Sequence, residues 1–203
     1  MGEKKSVRVG LLGCGTVGSS VVQLLSQHTE DIEARLGAAL TITRIAVSDL
    51  NKTRAVALDA NLLCQDPGRV VEGDDVDLVI EVMGGYEPAL SLVKRALRAG
   101  KHVVSANKAL LAQHGDELYR CAAASGTDLF YEASVGGGIP IIRTLREGLA
   151  SERITSIRAI INGTSNFILS AMAEGASYDD ALSSAQELGF AEADPTMDVS
   201  GLD

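Results

Sequence analysis

The sequence has no tryptophan, and its 203 residues hold only three phenylalanines, four tyrosines and four prolines. A core made from such a chain is aliphatic, filled by Val, Ile, Leu and Ala, as in a parallel sheet covered by helices on both faces. Basic residues are outnumbered by acidic ones, 18 to 27, which leaves a net charge of −9. That balance argues against a nucleic-acid or anionic-membrane surface, because both need a basic face. An anionic ligand must then be held by local devices, either backbone amides or single Lys and Arg side chains. Cys14, Cys64 and Cys121 are odd in number and lack metal-ligand spacing, so they are expected as reduced thiols. No apolar run approaches the roughly 18 residues of a membrane span. The basic start leads into a short apolar run broken by glycines, not into a secretory signal. A cytoplasmic protein is expected.

Strands and helices alternate in what is present. Val7–Leu12 predicts a strand ending in Gly13-Cys14-Gly15-Thr16-Val17-Gly18, and Ser19–His28 carries Val21, Val22, Leu24 and Leu25 at helical spacing. Leu40–Val47 predicts a second strand, ended by Ser48-Asp49. Asp77–Val82 predicts a third, followed by Met83-Gly84-Gly85 and a helix starting near Pro88. Gly100 closes that helix, His102–Ser105 reads as a strand, and Ala109–Ala124 reads as a helix capped by Ser125-Gly126. Leu129–Glu132 is the next strand. The fold class is therefore α/β, a Rossmann-like doubly wound parallel sheet. The pattern changes near Gly136–Pro140. Beyond it a helix is expected through Leu149, a longer strand over Ile154–Ile161, a helix opened by Asn162–Asn166, and another over Tyr178–Leu188. These begin a smaller α+β domain, and the expected division is 1–135 and 136–203.

The first glycine motif follows a strand and opens a helix, the context that gives it chemical meaning. Gly13 permits the tight turn, Gly15 lets a pyrophosphate approach the backbone, and Gly18 lets helix and strand pack closely. The helix N-terminus adds unpaired amides. A nicotinamide dinucleotide is the expected ligand. Asp49, at the end of the second strand, suits a ribose 2′-hydroxyl and so NAD, whereas Lys52 and Arg54 suit a 2′-phosphate and so NADP. The sequence leaves that choice open, since both basic residues also read as solvated surface. Gly84, Ser105 and Lys108 follow later strands, where ligands of wound sheets bind. His28, His102 and His114 form no pattern and are read as structural or surface residues.

Six blocks then occur in order: Gly13–Gly18, Glu81–Gly85, Ala106–Leu111, Tyr131–Pro140, Asn162–Leu169 and Leu188–Pro195. Together they resemble the homoserine dehydrogenase family over nearly the whole chain. The resemblance implies NAD(P)-dependent interconversion of L-homoserine and L-aspartate 4-semialdehyde, on the route to threonine, methionine and isoleucine. It implies cofactor contacts at Thr16, Val17, Ser105 and Lys108, substrate contacts at Gly189 and Glu192, and contacts of Asp198 and Asp203 to the substrate or to the family's catalytic Lys; carboxylates suit the substrate's ammonium. It also implies a sodium loop at Glu132, Val135, Gly137 and Ile139, whose carbonyls suit a hard cation. A homodimer of the complete protein is implied through the second domain. The family's proton-transferring Lys lies a few residues beyond the position of Asp203, so the expectation is the front portion of such an enzyme, with Lys108 in a binding role. The competing expectation is a short, non-catalytic NAD(P)-binding protein acting as sensor or partner.

Overall fold

The computed structural model describes residues 5–159, 162–191, 196 and 200. The chain divides into two compact units, residues 1–144 and 145–203.

In the first unit six parallel strands lie in the order β3-β2-β1-β4-β5-β6. They are β1 (Lys5–Leu12), β2 (Ala38–Ala46), β3 (Leu63–Cys64), β4 (Leu78–Glu81), β5 (His102–Ser105) and β6 (Leu129–Phe130). The chain winds outward from β1 in one direction and then, from β4, in the other. The switch point therefore falls between β1 and β4, where such sheets open a crevice at their carboxyl ends. The helices of this unit are α1 (Thr16–Gln27), α2 (Thr29–Leu36), α3 (Gly68–Val71), α4 (Ala89–Arg98), α5 (Lys108–Ser125) and α6 (Ile141–Arg143).

Alternation along β1 sends neighbouring leucines to opposite faces. Leu11 joins Cys14, Val22, Ile45 and Val47 in one buried cluster. Leu12 joins Val79, Val103 and Leu129, with Leu92, Val93 and Leu97 of α4 and Leu110 and Leu118 of α5, in the other. No aromatic ring stands among the buried hydrophobic residues of the described chain. Helix ends follow local chemistry: Gly37 and Gly126 close α2 and α5 in the left-handed conformation, and Asn107 caps α5 by accepting from Leu110 N. Register between β1 and β4 is set by a clasp. The Arg8 amide and Nε both donate to Asp77 Oδ2, Nη2 donates to Oδ1 at 2.6 Å, and Asp77 N donates back to Arg8 O.

In the second unit α7 (Gly163–Ala173) and α8 (Tyr178–Glu187) pack through Ile168, Ala181 and Ala185. Asn162 and Ser177 cap them by accepting from Ser165 N and Asp180 N. The strand expected over Ile154–Ile161 is not formed across residues 154–159, and Ile160 and Ile161 lie outside the described residues. A strand is stable only with a neighbour to pair with, and among the described residues this unit holds helices and turns alone. The helix expected through Leu149 ends earlier: α6 spans three residues and gives way to a π-type turn over Thr144–Gly148. Short elements the alternation did not signal are α2, α3 and the edge strand β3.

Candidate functional site

The three motif glycines sit where β1 meets α1, and each does a different thing. Gly13 has φ +94°, and a Cβ there would come 3.0 Å from Val82 O and 3.2 Å from Met83 Cα. Only glycine allows this turn to press against the strand across the switch point. Gly18 is buried, and a Cβ on it would lie 2.5 Å from Gly13 O, so the helix start can touch the turn only without a side chain. Gly15 is exposed, and an added Cβ would meet nothing within 4 Å. The fold does not need glycine at position 15; open space is kept there. Gly15 is the N-cap of α1, and the amides of Thr16, Val17 and Gly18 open the helix, where no intrahelical acceptor exists for them. The donor set of amides and positive dipole end fits a pyrophosphate.

Asp49 and Arg54 follow β2 by a few residues. Asp49 Oδ1 accepts from Asn51 N at 2.8 Å, an Asx turn that holds the carboxylate on the loop. Arg54 donates Nη1 to Lys52 O at 2.8 Å and Nη2 to Asp49 O, so its guanidinium staples the same loop. Its Nε is buried without a partner among the described residues.

The carboxyl ends of β4 and β5 carry Gly84, Ser105 and Lys108. Gly84 and Gly85 have φ +79° and +72°, and Met83 through Glu87 are exposed. Ser105 is fully buried and Lys108, the first residue of α5, is exposed. Between the two strands lies a residue that motif reading did not assign a role. Glu81, the last residue of β4, is 0% exposed; its Oε1 accepts from Met83 N at 2.8 Å and its Oε2 from Ser105 Oγ at 2.6 Å. Asn107, also buried, donates its amide N–H to Ser105 Oγ at 3.1 Å and Nδ2 to Gly85 O at 2.7 Å. The signal was present: an acid at the end of a strand whose neighbours, Val79, Ile80 and Val82, are all apolar.

Glu132, Val135, Gly137 and Ile139 follow β6 in a turn with Gly136 and Gly137 at φ +69° and +61°. The Glu132 carboxylate caps α6, accepting from Ile142 N at 2.9 Å and Arg143 N at 2.7 Å. Its carbonyl accepts from Val135 N at 3.2 Å, and the Ile139 carbonyl accepts from Ile141 N at 2.8 Å. No cluster of three or more His, Cys, Asp and Glu side chains suited to a metal exists among the described residues. A cation here would have to be held by carbonyl oxygens, each of which has a second lone pair to offer. In the second unit Gly189 follows α8 with φ +77°, and Thr164 Oγ1 donates to Phe190 O. Glu192, Asp198 and Asp203 lie outside the described residues.

The expected cofactor residues Gly13, Gly15, Thr16, Val17, Gly18, Asp49, Arg54, Gly84, Ser105 and Lys108 thus all fall at or after the carboxyl ends of β1, β2, β4 and β5. This is one edge of one sheet. No helix among the described residues is long and apolar enough to cross a membrane.

Known proteins share both parts of this chain. Residues 13–132 match a family model described as the NAD binding domain of homoserine dehydrogenase, and residues 140–203 match the model described as homoserine dehydrogenase. Homoserine dehydrogenase of Bacillus subtilis is 51% identical over 200 residues, covering 98% of this chain and 46% of that protein. The crystal structure of a homoserine dehydrogenase from Thiobacillus denitrificans superposes with a TM-score of 0.89 at 48% identity, over 98% of this chain and 46% of that one. A hyperthermophilic archaeal homoserine dehydrogenase solved in complex with NADPH superposes at 0.79 with 29% identity, over 97% of this chain and 66% of that one. The chain spans about half the length of the curated relatives it matches. With both of its parts matched in order, the chain belongs to the homoserine dehydrogenase family.

Proposed function

We propose that the first unit holds NAD or NADP across the carboxyl ends of its sheet, within an enzyme that interconverts L-homoserine and L-aspartate 4-semialdehyde. The observation that carries this reading is the open space at Gly15 between two glycines that the backbone itself requires. A turn made only for structure would leave no reason for the third glycine. The NADPH carried by the archaeal relative supports the same ligand class, and the relatives, named throughout as homoserine dehydrogenases, favour an enzyme over a non-catalytic sensor.

In this reading the Thr16 and Val17 amides and the Gly15 backbone take the pyrophosphate, and Gly13 and Gly18 keep that cradle in shape. Asp49 and Arg54 form the loop that meets the adenosine ribose. Gly84 and Lys108 line the nicotinamide end, and Ser105, fully buried, supports it from behind through its bond to Glu81. The bound nicotinamide supplies the hydride acceptor for the alcohol carbon. Glu192, Asp198 and Asp203 meet the substrate's ammonium, Gly189 lies against the substrate through its backbone, and Lys108 contributes positive charge for binding. Carbonyls of Glu132, Val135, Gly137 and Ile139 hold a sodium ion, a role the paired positive-φ glycines support by letting carbonyls turn inward. The complete protein pairs as a homodimer through the second unit, supported by the exposure of Leu169 and Leu188 there, 63% and 65%.

Because the chain has no tryptophan, reduced-nicotinamide fluorescence on titration with NADH and NADPH reports binding without interference from indole. Saturable binding of at least one is expected, and binding of neither refutes the cofactor site. L-homoserine is then added with the oxidised cofactor and the absorbance of reduced nicotinamide followed. Cofactor binding without reduction would confine this chain to the nucleotide-holding part of the reaction.

A further inference from the structure

One buried acid, Glu81, has no part in holding the cofactor or substrate directly. Glu81 stands in register with Leu12 of β1 on one side and Ser105 of β5 on the other, at the carboxyl end of the sheet beside the switch point. A carboxylate in such a place carries a large desolvation penalty unless its oxygens are satisfied. The sheet does not need it there, since backbone ladders already hold β4 to β1 and β5.

Hydrogen-bond direction fixes what the side chain does. A backbone amide can only donate, so Ser105 Oγ accepts from Asn107 N and its own proton is directed to Glu81 Oε2. Met83 N likewise donates to Oε1, with Asn107 Nδ2 at 3.5 Å from the same oxygen. Both oxygens of Glu81 are therefore acceptors. Asn107 meanwhile donates to Gly85 O and caps α5 through Leu110 N. One side chain thus couples the Met83–Gly85 loop to the Ser105–Lys108 turn. The loop is exposed and contains two glycines in the left-handed region.

We propose that Glu81 is a positioning residue: through Met83 N, Ser105 Oγ and Asn107 it fixes the β4 and β5 loops in the arrangement that receives the nicotinamide dinucleotide. The proposal rests on the cofactor reading above. Loosening the network lowers the fraction of molecules whose loops are ready to bind, and apparent affinity falls by that fraction.

Glu81→Gln keeps the shape but replaces one accepting oxygen with an NH2 group, which then faces either the Met83 amide or the Ser105 hydroxyl. The measurement is the Kd for NADH and NADPH by fluorescence titration, alongside the apo melting temperature. Glu81→Gln is expected to weaken binding by about tenfold, the effect of one buried donor left unmatched. Ser105→Ala, which leaves Glu81 Oε2 without its donor and needs no new group buried, is expected to act in the same direction. The Glu81→Gln/Ser105→Ala double variant is expected to be no worse than Glu81→Gln alone, since both remove the same link. Asp77→Asn serves as the comparison: it breaks the Arg8 clasp at the amino end of β4 and should lower the melting temperature with Kd unchanged.

If Glu81→Gln and Ser105→Ala melt early yet bind as the unaltered protein does, the network only stabilises the fold and the proposal is overturned. Should Glu81→Gln fail to fold, Ser105→Ala decides between the same two outcomes. An unaltered protein that binds neither cofactor would refute the functional reading and, with it, this role. An unaltered protein that binds, beside variants that bind equally well, would overturn only the role of Glu81.

Discussion

Gly15→Val separates the two things a glycine turn can be. In the folded protein the added side chain meets nothing within 4 Å of its Cβ, the backbone has φ −83°, and the Ser19 N to Gly15 O bond of 2.9 Å involves main chain only. The cost to the fold is the difference between glycine and a β-branched residue at an N-cap, about 1 kcal/mol, part of which is recovered because valine restricts the unfolded chain. For a protein of this size the melting temperature should move by no more than about 4 °C. In the cofactor complex the same side chain occupies the place of the pyrophosphate. Losing two amide bonds to a charged phosphate, at about 1.5 kcal/mol or more each, weakens binding by over about 100-fold. The assay is fluorescence titration with NADPH and NADH beside a thermal melt of the free protein. An affinity within about threefold of the unaltered protein would place the pyrophosphate elsewhere and refute the reasoning. A melting temperature lower by more than about 10 °C would show instead that Gly15 is a packing residue.

Gly18→Ala should do the reverse: its Cβ would lie 2.5 Å from Gly13 O, so turn and helix must separate, at about 1–3 kcal/mol, visible as a lower denaturation midpoint even without cofactor. The Arg8 guanidinium holds the Asp77 carboxyl down from its ordinary 3.8 to about 2. A depressed folded-state pKa stabilises above the unfolded value, so that contribution is complete above about pH 4 and is lost as pH falls toward 2. The shift alone corresponds to about 2.4 kcal/mol, but the two side chains are 42% and 40% exposed, and screening leaves about 1 kcal/mol. Asp77→Asn should therefore lower stability at pH 7 by at least that much, with the gap to the unaltered protein narrowing between pH 4 and 2 in urea titrations. A constant gap would show that the Asp77 charge contributes nothing. Glu132→Ala removes the α6 cap and should cost about 1 kcal/mol equally in sodium and choline chloride; any added sodium-dependent stability should survive it, because the carbonyls remain. A sodium effect abolished by Glu132→Ala would make the side chain itself the ligand.

The parts of the fold that were legible in the sequence are those whose cause is local. The strands at His102–Ser105 and Leu78–Glu81 rest on continuous apolar runs and the helices α1, α4, α5 and α8 on apolar residues at period 3.6, with Asn107 and Ser177 opening α5 and α8 and Gly100 and Gly126 following α4 and α5. Residues 154–159 carry a strand-like alternation and form no strand, because pairing is a property of two segments and one segment's pattern cannot supply the other. Edge strand β3, two residues long, failed to announce itself for the complementary reason: Leu63 and Cys64 form a strand only because Ile45 and Ala46 are beside them.

The site divides the same way. The glycines of the first turn were readable because Gly13 and Gly18 meet their constraints within a few residues, or across one neighbouring strand, and Gly15 stands between them. Glu81 was not, although its letter is conspicuous in an apolar run, because its function depends on Ser105 and Asn107, more than twenty residues ahead, being brought beside it by the β4–β5 pairing. Sequence alone offers two equally good accounts of such an acid, a solvated strand end or a buried hub, and they differ only in burial. At 0% exposure the solvated account is gone. What then remains is a group too costly to bury for packing alone, joined by hydrogen bonds to two loops that face the dinucleotide edge.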